Sequence, residues 1–315
     1  MSTDETVENS APSAAPSSSD NPTAGLMFSV VVPCYNEEDG LADTVATLVN
    51  DLQSSDPYEV IIVNDGSNDG TAAVLAEVVE KYPQVRVETH IHNRGYGAAL
   101  KTGIRNAHSD LIVITDADGT YPNERIPELV SLAKSKRVDM VVGSRTGKDV
   151  TYSWVRKIPK VFLKAYASWI AQQNIPDINS GLRVMRREVV ERFISILPDS
   201  FSFTTTITVA MLTNHYNVHY EPIGYTARIG KSKIRPIRDT LLFFQLILRT
   251  GMYFAPLRVF LPFGMLLGLA FMVSLAYDLF VLKNLTDKTV LFLLFGMNTA
   301  MFALLADMID KRSGR

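Results

Sequence analysis

Two apolar runs near the C-terminus constrain this chain more than any other feature. One extends from Val259 to Leu282, broken by Asp278, and the other from Val290 to Ile309, broken by Asn298 and Asp307. Each has about the 20 residues that a helix needs to cross the hydrocarbon layer of a bilayer. The loop between them, Lys283 to Lys288, is short and polar. The pattern predicts a transmembrane hairpin over 259–309. The alternative is a pair of buried helices in a soluble bundle, but such helices usually keep a polar face. Arg249 and Arg258 precede the first run, and Lys311, Arg312 and Arg315 follow the second. The loop holds only Lys283 and Lys288. The excess of positive charge places both ends in the cytoplasm, with 310–315 as a cytoplasmic tail. Asp278, Asn298 and Asp307 mark either helix–helix contacts in a homo-oligomer or positions near the interface, where they cost little.

Upstream, over 236–258, Leu241, Phe244, Leu248 and Met252 recur at helical spacing with Arg238, Asp239, Gln245 and Arg249 between them. This reads as an amphipathic helix lying at the membrane surface, or as an ordinary amphipathic helix packed on a soluble domain. At the other end, residues 1–26 are rich in Ser, Ala, Pro and acid. They lack the basic start and apolar centre of a secretory signal. They are too polar to offset the entropy of ordering, so a disordered tail is expected.

The formal net charge of -2 gives no sign of a nucleic-acid-binding protein. The lone Cys34 excludes an internal disulfide and fits a reducing compartment. It is either a reactive thiol or a small apolar filler at a strand end.

Between tail and hairpin, residues 27–235 alternate strand and helix. "FSVVVPCYN", "YEVIIVNDGS", "VRVETHIHN" and "DLIVITDAD" read as strands, with helical segments between them. Near-continuous apolar strands alternating with helices predict an α/β domain with a mostly parallel sheet covered on both faces. In such sheets ligands bind beyond the carboxyl ends of the strands. Those ends carry Pro33, Tyr35, Asn36 and Glu37; Asn64, Asp65, Gly66 and Asp69; Asn93, Arg94 and Gly95; and Asp116 and Asp118. Each cluster alone is an ordinary turn. Together they line one edge.

Asp116 and Asp118 supply hard oxygen ligands, which suit Mg2+ or Mn2+. A metal with so few protein ligands would be held mainly by a diphosphate. Asp65 and Glu37 can accept hydrogen bonds from a base or a ribose. Gly95-x-Gly97 resembles the start of a dinucleotide fingerprint, but the third glycine is missing, and an amide-rich turn or close packing explains it as well.

"VVPCYNEE", "VIIVNDGSNDGT", "NRGYGAALKTGI", "DADGTYP", "MVVGSR" and "DINSGLRVMRRE" occur in that order. Together they resemble the inverting family 2 glycosyltransferases of GT-A fold, in the dolichol-phosphate mannosyltransferase and polyprenyl-phosphate glycosyltransferase branch. The resemblance implies a GT-A-type nucleotide-sugar-binding domain, followed by the interfacial helix and the hairpin. It implies transfer of a hexose from a nucleotide sugar to a polyprenyl phosphate lipid at the membrane. Pro33, Tyr35, Glu37, Asp65, Asp116 and Ala117 then hold the nucleotide, and Asp118 the metal. Thr120 stands where the family often has a further ligand, Gln, so its part in metal binding is open. Arg145 is assigned to the sugar phosphate and Asp177 to the reaction centre. Arg183, Arg228 and Lys233 are assigned to diphosphate or lipid phosphate.

Two rivals remain at this stage. A processive polysaccharide synthase would resemble the same fold, but the Q-x-x-R-W segment of those enzymes does not precede Trp154 or Trp169. A non-catalytic membrane scaffold could keep the nucleotide fold, although the intact acidic cluster argues against it.

Overall fold

The structure, a computed structural model, describes residues 27–146, 157–225, 245 and 248–312. Strands β1 (Phe28–Cys34), β2 (Tyr58–Asn64), β3 (Val85–Thr89) and β4 (Leu111–Ile114) alternate with helices α1 (Leu41–Leu52), α2 (Thr71–Lys81) and α3 (Tyr96–Asn106). Successive side chains of a strand point to opposite faces. Val30, Val32, Val60 and Ile62 therefore pack with Leu41, Val45 and Leu75 of α1 and α2. Val31, Ile61 and Val63 pack on the other face with Ala99, Leu100 and Ile104 of α3. Both faces are covered, which is why these strands read as unbroken apolar runs.

Strands β5 (Met140–Ser144), β6 (Arg183–Arg186) and β7 (Val218–Pro222) complete a seven-stranded sheet of order β3-β2-β1-β4-β6-β5-β7. Helices α4 (Ile126–Ser135), α5 (Lys157–Ala171), α6 (Arg187–Phe193) and α7 (Phe203–Thr213) accompany them. The sheet is mostly parallel, as the alternation predicts, but β6 runs antiparallel to both β4 and β5. That reversal matters for the site. The start of β6 meets the carboxyl ends of its neighbours, with Arg183 opposite both Ile114 and Val142.

Helix α8 (Pro256–Tyr277) runs into a π-helical turn, Asp278–Leu282, and returns as α9 (Asp287–Arg312). Only 11% of each helix's apolar window is buried. A soluble bundle would cover such side chains; an apolar hairpin this bare suits a membrane anchor. At its tip the fully buried Asp278 accepts hydrogen bonds from Thr286 N (2.8 Å), Thr286 Oγ1 (2.7 Å) and Thr289 Oγ1 (2.6 Å). Asp278 thus serves a contact inside the hairpin. At its root, Val259 packs with Ile170, Ile175, Val209 and Leu212 of the soluble domain, and Arg258 donates to the Ile170 carbonyl. Residues 248–254 are helical. The rest of the predicted surface helix, apart from 245 and 255–258, lies outside the described residues, as do residues 1–26, Arg228 and Lys233.

Candidate active site

The site grows from the end of β4. Asp116 and Asp118 are half-buried on the turn that follows it, and Ala117 between them points into the core. Gly119 has φ +65°, a left-handed conformation that lets the turn reverse tightly. Asp118 Oδ1 accepts hydrogen bonds from Thr120 N (3.2 Å) and Thr120 Oγ1 (2.7 Å). Thr120 is buried and tethers Asp118. Asp116 Oδ1 accepts a bond from the Tyr96 hydroxyl (2.9 Å), at the start of α3.

The reversed strand β6 brings the "DINSG" segment to the same place. A Cβ on Gly181 would stand 2.8 Å from Asp116 Oδ2, so glycine here leaves room for the Asp116 carboxylate. Gly181 N donates to the Tyr121 hydroxyl (2.6 Å), which bridges the segment to the Asp116 turn. Asp177 receives Arg145 through Nε (2.7 Å), Nη2 (2.9 Å) and the backbone N (3.1 Å), and also Asn179 N (3.1 Å). Arg145 also lies over the Tyr225 ring, 5.3 Å from its centroid, and Tyr225 meets Tyr121 edge-on. Burial pushes the Asp177 carboxyl up, but the Arg145 hydrogen bonds and charge, with the two backbone N–H groups, outweigh it and hold the group below the usual carboxylate range. Burial and the Asp116 charge push the Tyr96 and Tyr121 phenols up, so both stay neutral.

Arg183 corrects the sequence reading. It was grouped with the phosphate-binding residues, yet it is completely buried beneath the site. Its guanidinium donates to the carbonyls of Ser180 (2.8 Å) and Ile178 (2.9 Å) and to Thr208 Oγ1 (2.6 Å). It braces the turn that carries Asp177 and has no surface to offer a lipid.

Toward the sheet's other side, Pro33 is buried in β1, Tyr35 is exposed and Glu37 half-buried. Their loop is cross-linked to the β2–α2 loop: Asn36 N donates to Ser67 Oγ (3.0 Å) and Glu37 N to Thr71 Oγ1 (3.0 Å). Asp65 is buried and turned inward. It accepts from Arg94 N (2.9 Å) and Gly95 N (2.8 Å) and lies 2.7 Å from His90 Nδ1. This fixes the 93–95 turn, so any base contact would use the lone pair that remains. Cys34 is buried, and burial with the charges of Glu37 and Asp69 pushes its thiol up to about 12. Of the two readings of Cys34, the inert filler holds.

Gly95-x-Gly97 is not a phosphate cradle. Gly97 N (2.9 Å) and Ala98 N (3.2 Å) donate to the Asp199 carbonyl, and a Cβ at Gly97 would stand 2.1 Å from the Pro198 carbonyl oxygen. The glycines admit the 198–200 loop against α3. Sequence reasoning passed over Tyr96 and Tyr121, although both sit inside the quoted motifs. A tyrosine beside the acidic turn is the signal that was there to read.

Among the described residues, no group of three or more His, Cys, Asp or Glu could hold a metal by itself. Asp116 and Asp118 form a two-acid, all-oxygen set. It suits a hard divalent ion whose other ligands are water and phosphate.

A sheet of this order, with paired acids at its carboxyl edge and an apolar hairpin behind it, defines a GT-A-like glycosyltransferase with a membrane anchor. A family model described as Glycosyl transferase family 2 matches residues 29–194, and one described as GtrB C-terminal hairpin matches 255–311. The chain belongs to glycosyl transferase family 2. It is 30% identical, over 90% of its length and 88% of the relative's, to undecaprenyl-phosphate 4-deoxy-4-formamido-L-arabinose transferase of Proteus mirabilis. It is 33% identical to the Pseudomonas fluorescens protein of that name, over 79% and 72% of the two chains. Among solved structures, glucosyl-3-phosphoglycerate synthase from Mycobacterium tuberculosis with Mn2+, UDP-glucose and phosphoglyceric acid superposes with a TM-score of 0.55. That match has 19% identity over 73% of this chain and 81% of the other, and it speaks to fold alone.

Proposed function

We propose that the protein moves a sugar from a nucleoside diphosphate to a polyprenyl phosphate at the cytoplasmic face of a membrane, inverting the anomeric centre. The observation that carries this is the junction of Asp116, Arg145 and Asp177 in a domain whose helices α5 and α7 are packed on the root of the apolar hairpin. The acceptor named for the two relatives supports it. The two-acid, all-oxygen set of Asp116 and Asp118 supports a divalent ion held together with a nucleoside diphosphate.

In this reading Pro33, Tyr35, Glu37 and Asp65 hold the base and ribose, with Asp116 and the Ala117 backbone. Asp118 and Asp116 would hold Mg2+ or Mn2+, with Thr120 orienting Asp118. Such an ion, when bound, supplies positive charge for the departing diphosphate. Arg145 adds a fixed cation, aimed by Asp177 before substrate arrives. Asp177 stays ionised, so it carries no proton to donate. The acceptor phosphate is already ionised at neutral pH and needs no strong base. Asp177 then holds Arg145 and favours positive charge on the sugar. Arg228 and Lys233 draw the lipid phosphate to the site.

The test is turnover by the full chain in membranes. The donors are UDP-glucose, GDP-mannose, UDP-N-acetylglucosamine and UDP-linked 4-deoxy-4-formamido-L-arabinose, with undecaprenyl phosphate as acceptor and mass spectrometry of the lipid product. One donor should give a glycolipid, and Asp118→Asn should lower that rate about 100-fold or more. No glycolipid from any donor removes the reading, and full activity in excess EDTA removes the metal.

A further inference from the structure

We propose that Phe201, held against Tyr96, is a sugar-contact residue: its open ring face is the platform on which the donor's sugar packs. This rests on the nucleotide-sugar reading above.

Phe201 is 76% exposed. A single exposed aromatic is ordinary, so exposure carries nothing by itself. Its surroundings do. The loop that bears it is fixed to α3 by the Asp199 carbonyl, which accepts from Gly97 N and Ala98 N, and by Lys101 Nζ to Asp199 Oδ1 (2.8 Å). The Phe201 ring stacks on Tyr96 at 5.4 Å with the planes 18° apart. The Tyr96 hydroxyl in turn bonds Asp116. The aromatic pair is therefore joined to the donor-binding acid.

The occupant follows from chemistry and position. Ser200 and Ser202 flank Phe201 in the chain, and their hydroxyls lie 2.6 Å apart. An exposed ring face with serine hydroxyls on the same loop suits a pyranose, which presents C–H groups on one face and hydroxyls at its edge. A polyprenyl chain fits the position poorly. Phe201 precedes the first turn of α7, whereas Val209 and Leu212, toward the far end of that helix, meet the root of the hairpin. The length of helix between them spans roughly 14 Å.

The experiment uses the full chain in detergent with Mn2+. Calorimetry compares UDP-glucose with UDP, or the best donor of the panel with its own nucleoside diphosphate, for wild type, Phe201→Ala and Phe201→Trp. We expect Phe201→Ala to weaken nucleotide-sugar binding roughly tenfold and to leave the nucleoside diphosphate within about twofold. Phe201→Trp should restore the sugar-dependent part. In turnover, the donor KM should rise while the acceptor KM holds. Equal affinity of Phe201→Ala and wild type for the nucleotide sugar overturns the inference. So does an equal loss for sugar nucleotide and nucleoside diphosphate, or a change confined to the acceptor KM. Absence of glycolipid from wild type would remove the transfer reading alone, because the calorimetric comparison needs no acceptor.

Discussion

Glu59 lies in β2 near the edge of the sheet opposite the acids. Ser29 Oγ (2.5 Å) and His108 N (2.7 Å) donate to its Oε1, and Arg86 Nε (2.9 Å) to its Oε2, with His108 Nδ1 also 2.9 Å from Oε2. Burial pushes this carboxyl up, but the Ser29 and His108 hydrogen bonds and the Arg86 charge outweigh it and hold it below its ordinary 4.5. A carboxyl lowered by folding binds protons more weakly in the native state than in the unfolded one. Its stabilisation is therefore complete above about pH 4.5 and is lost as pH falls through the lower folded value. Glu59→Gln should cost about 1–3 kcal/mol at pH 7. Thermal unfolding from pH 7 to pH 3 should show the gap between wild type and variant closing as the pH drops. A gap that widens toward acid would mean that the network is not held by the ionised carboxylate.

At the scale of elements, Gly97 joins α3 to the loop before α7. Gly97→Ala puts a Cβ 2.1 Å from one backbone oxygen and 2.9 Å from another, those of Pro198 and Ser200. The expected cost is about 1–3 kcal/mol, with the Phe201 loop displaced. Gly224→Ala, which meets nothing within 4 Å, should stay within about 0.5 kcal/mol. Thermal melts of the two variants check this, and equal melts would mean that the loop yields freely. The strands were legible because an apolar run covered on both faces is a local signal. The ends of β1, β2 and β4 were legible for the same reason: Asp116 comes one residue after the apolar run Leu111–Ile114. At Gly97 the sequence leaves a fingerprint turn and close packing both open, because the deciding contact lies a hundred positions away in the chain and a local pattern cannot report a distant carbonyl. Arg183 was misassigned. An arginine in a motif looks like an anion ligand until the reversed β6 tucks it under Ser180. The reversal itself leaves no mark on the pattern of alternation.

For the whole molecule, orientation is the open quantity that charge asymmetry decides. The soluble domain and both chain ends should share the cytoplasmic side, with 283–288 across the bilayer. The lone cysteine is buried, so an introduced thiol reports without background. Asn284 and Ser135 are both exposed. An impermeant maleimide should label Asn284→Cys in right-side-out vesicles and Ser135→Cys only in inverted ones. The opposite pattern would overturn the assignment.

Asp278 also bears on the order in which the anchor is made. Synthesis delivers this carboxylate before Thr286 and Thr289, whose N–H and hydroxyl groups donate to its Oδ2. Until they emerge, the first helix carries an unsatisfied charge, which a bilayer resists by up to about 3 kcal/mol at its centre. The loop residue Thr286 brings two of these donors, and Thr289, in the first turn of the second helix, brings the third. The two spans therefore favour leaving the insertion machinery side by side, as a closed pair, over entering lipid one after the other.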